Sequence, residues 1–434
     1  MPPPEQSSIL TFEGARRVVA DHAAQVSCSE TETVDLLHSA GRILAEPIIA
    51  DRDFPPFPRS TRDGYAVRAS DLTSLPAKLK VIGEIKAGAV HKEIPPIMNP
   101  GETYSIMTGA PVPQGADAVV MVEYTSQKNG LVEITRAVSP QENIVAPGAE
   151  ANRADLLVDF GTRLTESAIA LAASVGKSKL NVFLRPRVAI LTTGDEIVPI
   201  DSVPGPSQIR NSNTYSLAVQ VQQAGGDPIL LPIAPDEPRR LRKLIEEGLQ
   251  SDLLIMTGGV SMGRYDLVEQ VLADLQAEFF FTGAKIQPGK PVVFGRAQCG
   301  SRSCESGRVA RPGGQAPASK NAYSYFFGLP GNPVSTMVTF ELFARPMLEA
   351  LAGMRPYPLT FLHARLKSEI RVKAGLTRFL PAIISGKYED SHVELVRWQG
   401  SGDIAARSRS NCYVVIPSDR EHIAPGEWIA VMLR

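Results

Sequence analysis

At 434 residues the chain exceeds one typical domain, and its 43% hydrophobic content is ample for three or four modules with real cores. A formal net charge of -1 lacks the positive excess that a phosphate backbone or an anionic membrane selects, so neither nucleic acid nor membrane is expected as a partner. No apolar run approaches the ~18 residues that cross a bilayer, and the opening MPPPEQSSIL lacks the basic and apolar regions of a signal peptide, so a cytoplasmic location is the expectation.

Residues 8–25 carry helical periodicity, with Thr11 as N-cap. From about 51 to 145 the texture changes. Short β-rich runs at 79–85, 103–107, 118–124 and 131–135 are separated by Gly, Pro and Asn turns, which reads as an all-β module. Residues 165–176 (TESAIALAASVG) return to a short helix capped by Thr165 or Ser167, so the β module interrupts a split helical segment. From about 185 strand and helix alternate. An apolar strand at 187–191 ends in Thr192-Thr193-Gly194-Asp195-Glu196, a helix over 211–224 stops at Gly225-Gly226, and 229–233, 237–249, 252–256 and 265–275 continue the series. Sheets built this way collect ligands at the carboxyl ends of their strands. The Gly/Ser/Arg-rich stretch 297–322 reads as a disordered loop. Residues 334–348 are helical, and after Pro356 β patterning runs to Arg434 as a small barrel or sandwich. Four cysteines, Cys28, Cys299, Cys304 and Cys412, are too few and scattered for a disulfide framework, and no histidines stand at metal spacing beside Cys299 and Cys304.

Three small-residue loops, each behind a hydrophobic run, carry the chemistry. They are Thr257-Gly258-Gly259-Val260-Ser261-Met262-Gly263, Pro288-Gly289-Lys290-Pro291, and Leu329-Pro330-Gly331-Asn332-Pro333-Val334-Ser335. Glycine at that density lets backbone N–H groups approach a ligand, and such turns at strand ends and helix starts bind anions. Asp195 and Glu196 close one strand, Asp236 ends the next, Asp266 follows the glycine loop, and Asp63 sits in the Pro-rich turn FPPFPRSTRDGY. Taken singly, Asp236 and Asp266 read as helix caps and Asp63 as part of an Asp-Gly turn. Taken together beside anion loops, they read as a Mg²⁺-dependent phosphate site. Lys290, fixed between two prolines, suits an oxyanion. Composition alone gives Arg378 and Ser401 no privilege.

Six elements then match one family in order: Asp63-Gly64-Tyr65-Ala66-Val67-Arg68, Ile106-Met107-Thr108-Gly109-Ala110-Pro111-Val112-Pro113, Thr193-Gly194-Asp195-Glu196, Gly258-Gly259-Val260-Ser261, 288–291 and 329–335. Over nearly its whole length the chain resembles the MoeA-type molybdopterin molybdenumtransferases, which share their domains with the C-terminal part of gephyrin and with plant molybdenum-insertion proteins. The resemblance implies a multidomain α/β and β fold. Its parts would be a split helical N-terminal domain at 1–50 and 146–184, an inserted β domain at 51–145, a MogA-like α/β domain with a mostly parallel sheet at 185–352, and a C-terminal β-barrel domain at 353–434. It implies that molybdate enters adenylylated molybdopterin with Mg²⁺-dependent release of AMP. It also implies an elongated homodimer whose cleft joins the α/β domain of one subunit to the β segment of its partner. Transient contact with the adenylyltransferase and with cofactor-accepting enzymes goes with that role.

Position by position, Asp63, Thr108, Glu196, Asp236 and Asp266 match the family's important acidic and hydroxyl positions, with Glu196, Asp236 and Asp266 as the metal-holding carboxylates. Gly258, Gly259, Val260, Ser261 and Gly263 of the glycine loop and Asn332 match the pterin-nucleotide cradle, and Thr193, Gly194, Asp195, Pro291, Pro330 and Gly331 count with them as cofactor-binding positions. Lys290, Ser335, Arg378 and Ser401 match the surroundings of molybdate. The chain departs from the family at Gln287 and Gly283, where relatives carry lysines, although Lys285 is near. Other departures are Glu150 in Gly148-Ala149-Glu150, the segment 58–62, and the length of 297–322. The loss of a lysine at 287 implies weaker molybdate affinity. Two rival readings are a molybdopterin adenylyltransferase, which needs only 185–352, and a gephyrin-like scaffold, which could lose the acidic positions retained here.

Overall fold

A computed structural model describes residues 9–28, 30–88, 97–259, 267–298, 323–355, 357–387 and 389–433. The expected loop at 297–322 therefore lies, from residue 299 on, outside the described residues. So do the start of the 265–275 helix, Cys299 and Cys304. Two compact units are formed: Met1–Ala45 with Gly161–Leu164 and Leu180–Arg434, and Glu46–Phe160 with Thr165–Lys179.

The smaller unit is built on a six-stranded sheet in the order Ala118–Met121, Gly64–Val67, Glu102–Ile106, Ala77–Ile85, Leu131–Ile134, Thr125–Lys128. Its pairs are antiparallel except that of Ala77–Ile85 with Glu102–Ile106. The run Ala77-Lys78-Leu79-Lys80 alternates buried and exposed, the period-2 signature of a strand with one wet face. Gly64–Val67 differs: all four residues are buried, and the strand has partners on both edges. A Cβ on Gly64 would stand 1.8 Å from the Val120 carbonyl oxygen, so only glycine lets these strands close. What reads as an Asp-Gly turn in sequence is the start of this interior strand. The helix Glu166–Ser174 belongs to the same unit and follows Thr165, whose side chain makes no capping bond.

In the larger unit a second six-stranded sheet has the order Asp227–Leu230, Arg187–Thr192, Leu253–Thr257, Tyr323–Leu329, Val293–Gln298, Glu278–Phe281. The first four strands are parallel, Val293–Gln298 runs against them, and Glu278–Phe281 pairs antiparallel to it. Helices cover both faces. Asn213–Ala224 presents Leu217, Val221 and Ala224 at helical spacing, and packs with Phe12–Ala23 and the 333–351 region on one side. Pro238–Gly248 and Leu267–Asp274 bury Leu241, Ile245, Val268 and Leu272 on the other. Thr11 caps Phe12–Ala23 by accepting from the Gly14 N–H at 3.1 Å.

The helix expected over 334–348 is instead three pieces: Pro333–Thr339, a π-helical turn at Phe340–Ala344, and Arg345–Leu351. The cause is Pro346. It has no N–H to return to the Leu342 carbonyl, so the ladder widens there. Arg16 takes the freed carbonyl, donating Nη1 to Leu342 O at 2.6 Å.

The C-terminal strands settle the choice between barrel and sandwich. Thr377–Lys387, Asp390–Leu395, Leu362–Leu366, Trp428–Leu433 and Cys412–Ile416 pair in a ring that returns to Thr377–Lys387, a closed five-stranded barrel. Alternate residues such as Leu380, Ala382, Val414, Ile416, Ile429 and Val431 fill it. Outside the ring, Ile286–Gln287 adds in parallel to Thr377–Lys387. No described helix is long and apolar enough to cross a membrane.

Candidate active site

The sheet of the larger unit aligns three strand ends. Thr192 is in register with Thr257, and Thr257 with Leu329, so the turns that follow emerge side by side. Thr193 N–H donates to Thr257 O at 3.0 Å, and Gly194 N–H to Ala234 O at 3.2 Å. Gly258 has φ +87°, and a Cβ there would stand 2.3 Å from the Thr193 carbonyl oxygen. Thr257 Oγ1 donates to Pro330 O at 3.1 Å, as does Thr336 Oγ1 at 2.5 Å. The turns at 193–196, 257–259 and 330–332 thus form one packed group where the strand order reverses, the position at which such sheets take ligands. Val260, Ser261, Gly263 and Asp266 lie outside the described residues.

Three carboxylates border these turns. Asp195 Oδ1 accepts from the Asp236 N–H at 3.1 Å. The Glu196 carboxylate folds back over Gly194, with Oε2 2.6 Å from where a Cβ would be. Partial burial raises the Asp236 pKa above the ordinary carboxylate value, and the negative charges of Asp195 and Glu196 push it the same way. Asp236 does not cap a helix: Glu237 holds that place before Pro238–Gly248, without a side-chain bond. Among the described residues no three His, Cys, Asp or Glu side chains gather closely enough to hold a metal by themselves. A cleft of about 590 Å³ opens beside the cluster, lined in part by Gly194, Asp195, Thr214, Tyr215 and Arg240.

Two residues here go unrecognised in the sequence, where 211–224 reads only as a helix. Asn213 Nδ2 donates to Thr257 Oγ1 at 3.0 Å and to Gly331 O at 2.7 Å, tying two of the turns together. Asn211 Oδ1 accepts from the Thr214 N–H at 3.2 Å, which starts the helix at Asn213 instead of 211. The signal was the polar run Asn211-Ser212-Asn213-Thr214 directly ahead of an apolar helical face.

The basic group is also in the larger unit. Pairing of Ile286–Gln287 with Thr377 and Arg378 brings the Pro288–Pro291 turn to the barrel, and Arg378 Nε donates to Gln287 Oε1 at 2.8 Å. A Cβ on Gly289 would stand 2.4 Å from Thr339 Cγ2 and 3.7 Å from Ser335 O, so this turn also lies on the helix that carries Ser335. Val334 N–H donates to Ser401 O at 2.9 Å, which brings Ser401 to the same helix start. Lys290 makes no ion pair among the described residues. Burial lowers the Arg378 pKa from its ordinary value.

Asp63 and Thr108 meet in the smaller unit, where Thr108 donates both its N–H and its hydroxyl to Asp63 Oδ1. These bonds, the backbone one first, hold the Asp63 pKa below the ordinary value. Glu150 is committed to an ion pair with Arg59.

Comparison with known proteins agrees along the chain. The MoeA N-terminal region (domain I and II) matches residues 10–176, the "Probable molybdopterin binding domain" 189–350, and the MoeA C-terminal region (domain IV) 363–433. The molybdopterin molybdenumtransferase of Nostoc sp. is 34% identical over 420 residues, covering 94% of this chain and 89% of that protein. The chain belongs to the MoeA family. The Bacillus subtilis protein of the same name is 31% identical and covers 93% of this chain and 90% of its own. Among solved structures, a Pyrococcus horikoshii MoeA molybdopterin biosynthesis protein matches with TM-score 0.72 and 27% identity, over 98% of this chain and all of that one (100%). The MoeA relationship accounts for an inserted β sheet, an α/β sheet and a C-terminal barrel in one chain.

Proposed function

We propose that this chain is a molybdopterin molybdenumtransferase, inserting molybdate into adenylylated molybdopterin and releasing AMP. The observation that carries the proposal is that one unit offers two complementary sites: the carboxylates Asp195, Glu196 and Asp236 beside glycine turns, and the cations Lys290 and Arg378 on a separate turn and barrel strand. A tetrahedral dianion is held by such cations together with the hydroxyls of Ser335 and Ser401, through charge-assisted hydrogen bonds worth roughly 1.5–3 kcal/mol each. Backbone N–H groups of the turns at 258–259 and 330–332 orient the pyrophosphate, and Asn213 keeps two of those turns in place.

The donor set suits Mg²⁺. Its oxygens are hard, and Asp236, whose pKa is raised first by burial and then by the charges of Asp195 and Glu196, stands among like charges that a divalent cation would neutralise. Mg²⁺ commonly takes only one or two carboxylates and completes its shell with water and substrate phosphate. Glu196 and Asp236, with Asp266, would hold it, and when bound it neutralises charge as the phosphoanhydride breaks. Water adds across the phosphoanhydride, giving AMP and the pterin's phosphate, and the pterin's two thiols bind molybdenum as one molybdate oxygen leaves with their protons as water.

We place Asp63 and Thr108 in the same reaction as a contribution from the partner of a homodimer. The four-domain division at 1–50 with 146–184, 51–145, 185–352 and 353–434, the cytoplasmic location, and transient contacts with the preceding adenylyltransferase and with cofactor-accepting enzymes belong to the same proposal. An adenylyltransferase would have no use for Arg378 and Ser401 in the barrel or Asp63 in the β sheet. A scaffold would have no use for the acidic cluster. One assay separates the three: the protein is given adenylylated molybdopterin, Mg²⁺ and molybdate, and AMP is followed. Molybdate-dependent AMP release supports insertion. ATP-dependent formation of the adenylylated pterin supports the transferase of the earlier step, and neither activity leaves the scaffold.

A further inference from the structure

We propose that Gln287 is a positioning residue of the oxyanion pocket, contributing a carboxamide that sets the direction of the Arg378 guanidinium. The inference rests on the functional reading above. Gln287 and Arg378 are register partners in adjacent parallel strands, so their side chains leave the sheet at the same level. Arg378 is only 7% exposed. Its Nε is taken by Gln287 Oε1 at 2.8 Å and its Nη1 by Leu376 O at 3.2 Å, while Nη2 has no protein partner among the described residues. A desolvated guanidinium held at two nitrogens keeps one donor edge in a fixed direction, as recognition of an oxyanion requires. Gln287 itself is exposed and adjoins the Pro288-Gly289-Lys290 turn. With its oxygen committed to Arg378, its amide N–H groups remain neutral donors.

This changes what a lysine at 287 would do. On sequence alone, a neutral residue there only subtracts attraction for molybdate. In the structure, a lysine would remove the acceptor of Arg378 Nε and set an ammonium against the guanidinium, two like charges at hydrogen-bonding range. Lys290 and Arg378 already balance the charge of a dianion without it.

The test titrates molybdate into full-length wild type, Gln287→Ala, Gln287→Lys and Gln287→Glu, alone by calorimetry and then in the AMP-release assay. Gln287→Ala and Gln287→Lys are expected to raise the molybdate Kd and KM by about tenfold, the scale of one charge-assisted hydrogen bond. Their kcat and their KM for adenylylated molybdopterin stay at wild-type values. Gln287→Glu keeps the acceptor but pairs with the guanidinium and adds negative charge, so it weakens molybdate further. Gln287→Lys binding molybdate as tightly as wild type or tighter, or Gln287→Ala with unchanged Kd, overturns the proposal. So does a loss spread equally over kcat and both KM values, because that marks a merely structural role. If wild type binds molybdate but releases no AMP in response, the functional reading fails while the calorimetry still decides the role of Gln287. Absence of molybdate binding in wild type overturns both.

Discussion

Asp63 Oδ1 receives two hydrogen bonds from Thr108, from its backbone N–H at 2.7 Å and its hydroxyl at 3.0 Å. The arrangement keeps an exposed carboxylate ionised and aimed, at the head of a strand buried along its whole length. Thr108→Val removes the hydroxyl donor and leaves the backbone one. The Asp63 pKa is expected to move up toward the ordinary carboxylate value without reaching it, read by carboxyl-carbon NMR titration. The sign for stability follows. A folded-state value below the unfolded one adds stability above the unfolded pKa and loses it as pH falls through the folded one, so the variant gains slightly less on that rise. An unmoved titration curve would show that the hydroxyl bond is not made.

Asp236 runs the other way. Its raised folded-state pKa means that stability falls as pH climbs from the unfolded value to the folded one, because the folded state keeps its proton longer. Asp236→Asn removes a charge that Asp195 and Glu196 repel. Without added metal its Tm at neutral pH is expected to equal or exceed that of wild type, and its extra stabilisation by millimolar Mg²⁺ to shrink. Thermal scans with and without Mg²⁺ read both. A variant that gains as much from Mg²⁺ as wild type would remove Asp236 from the proposed ligand set.

Gly258 combines φ +87° with a Cβ position 2.3 Å from the Thr193 carbonyl. Gly258→Ala is expected to cost about 1–3 kcal/mol from the backbone conformation alone, with the clash added, and to weaken binding of adenylylated molybdopterin. Denaturant unfolding and a substrate titration measure the two effects separately. Wild-type stability would mean that the turn relaxes freely.

Arg16 satisfies the carbonyl that Pro346 leaves open at Leu342. Arg16→Ala exposes that orphan group, at about 1–3 kcal/mol, without touching the proposed substrate sites. The expected outcome is a lower denaturation midpoint with unchanged molybdate KM.

The homodimer proposal has its own check. An Asp63→Ala protein and a Glu196→Ala protein, each inactive, are expected to regain partial activity when mixed and reassembled, because one mixed cleft carries both wild-type residues. No recovery, with mixed dimers seen in sedimentation, counts against a cleft shared between subunits.

Local signals were legible where one period or one cap dominates. Thr11 and the apolar spacing after it lead directly to Phe12–Ala23, and the alternation of lysines with apolar residues leads to Ala77–Ile85. Gly64–Val67 was not legible, because a four-residue strand buried on both faces shows no alternation and its Asp-Gly start mimics a turn. The π turn at Phe340–Ala344 required Pro346 to be read against a carbonyl four residues back and an arginine far away in sequence. The acidic residues at strand ends were visible one by one. The convergence of Asp195 and Glu196 on Asp236, the bridge made by Asn213, and the Gln287–Arg378 bond depend on strand register, which composition does not encode.

The most direct measurement counts AMP released against molybdenum bound to pterin, in a single turnover of adenylylated molybdopterin with Mg²⁺. With molybdate present the two are expected to appear together in equal amounts, and without it AMP release is expected to stall. AMP appearing at the same rate whether or not molybdate is added would contradict a site in which the carboxylate cluster and the Lys290–Arg378 pocket serve one reaction.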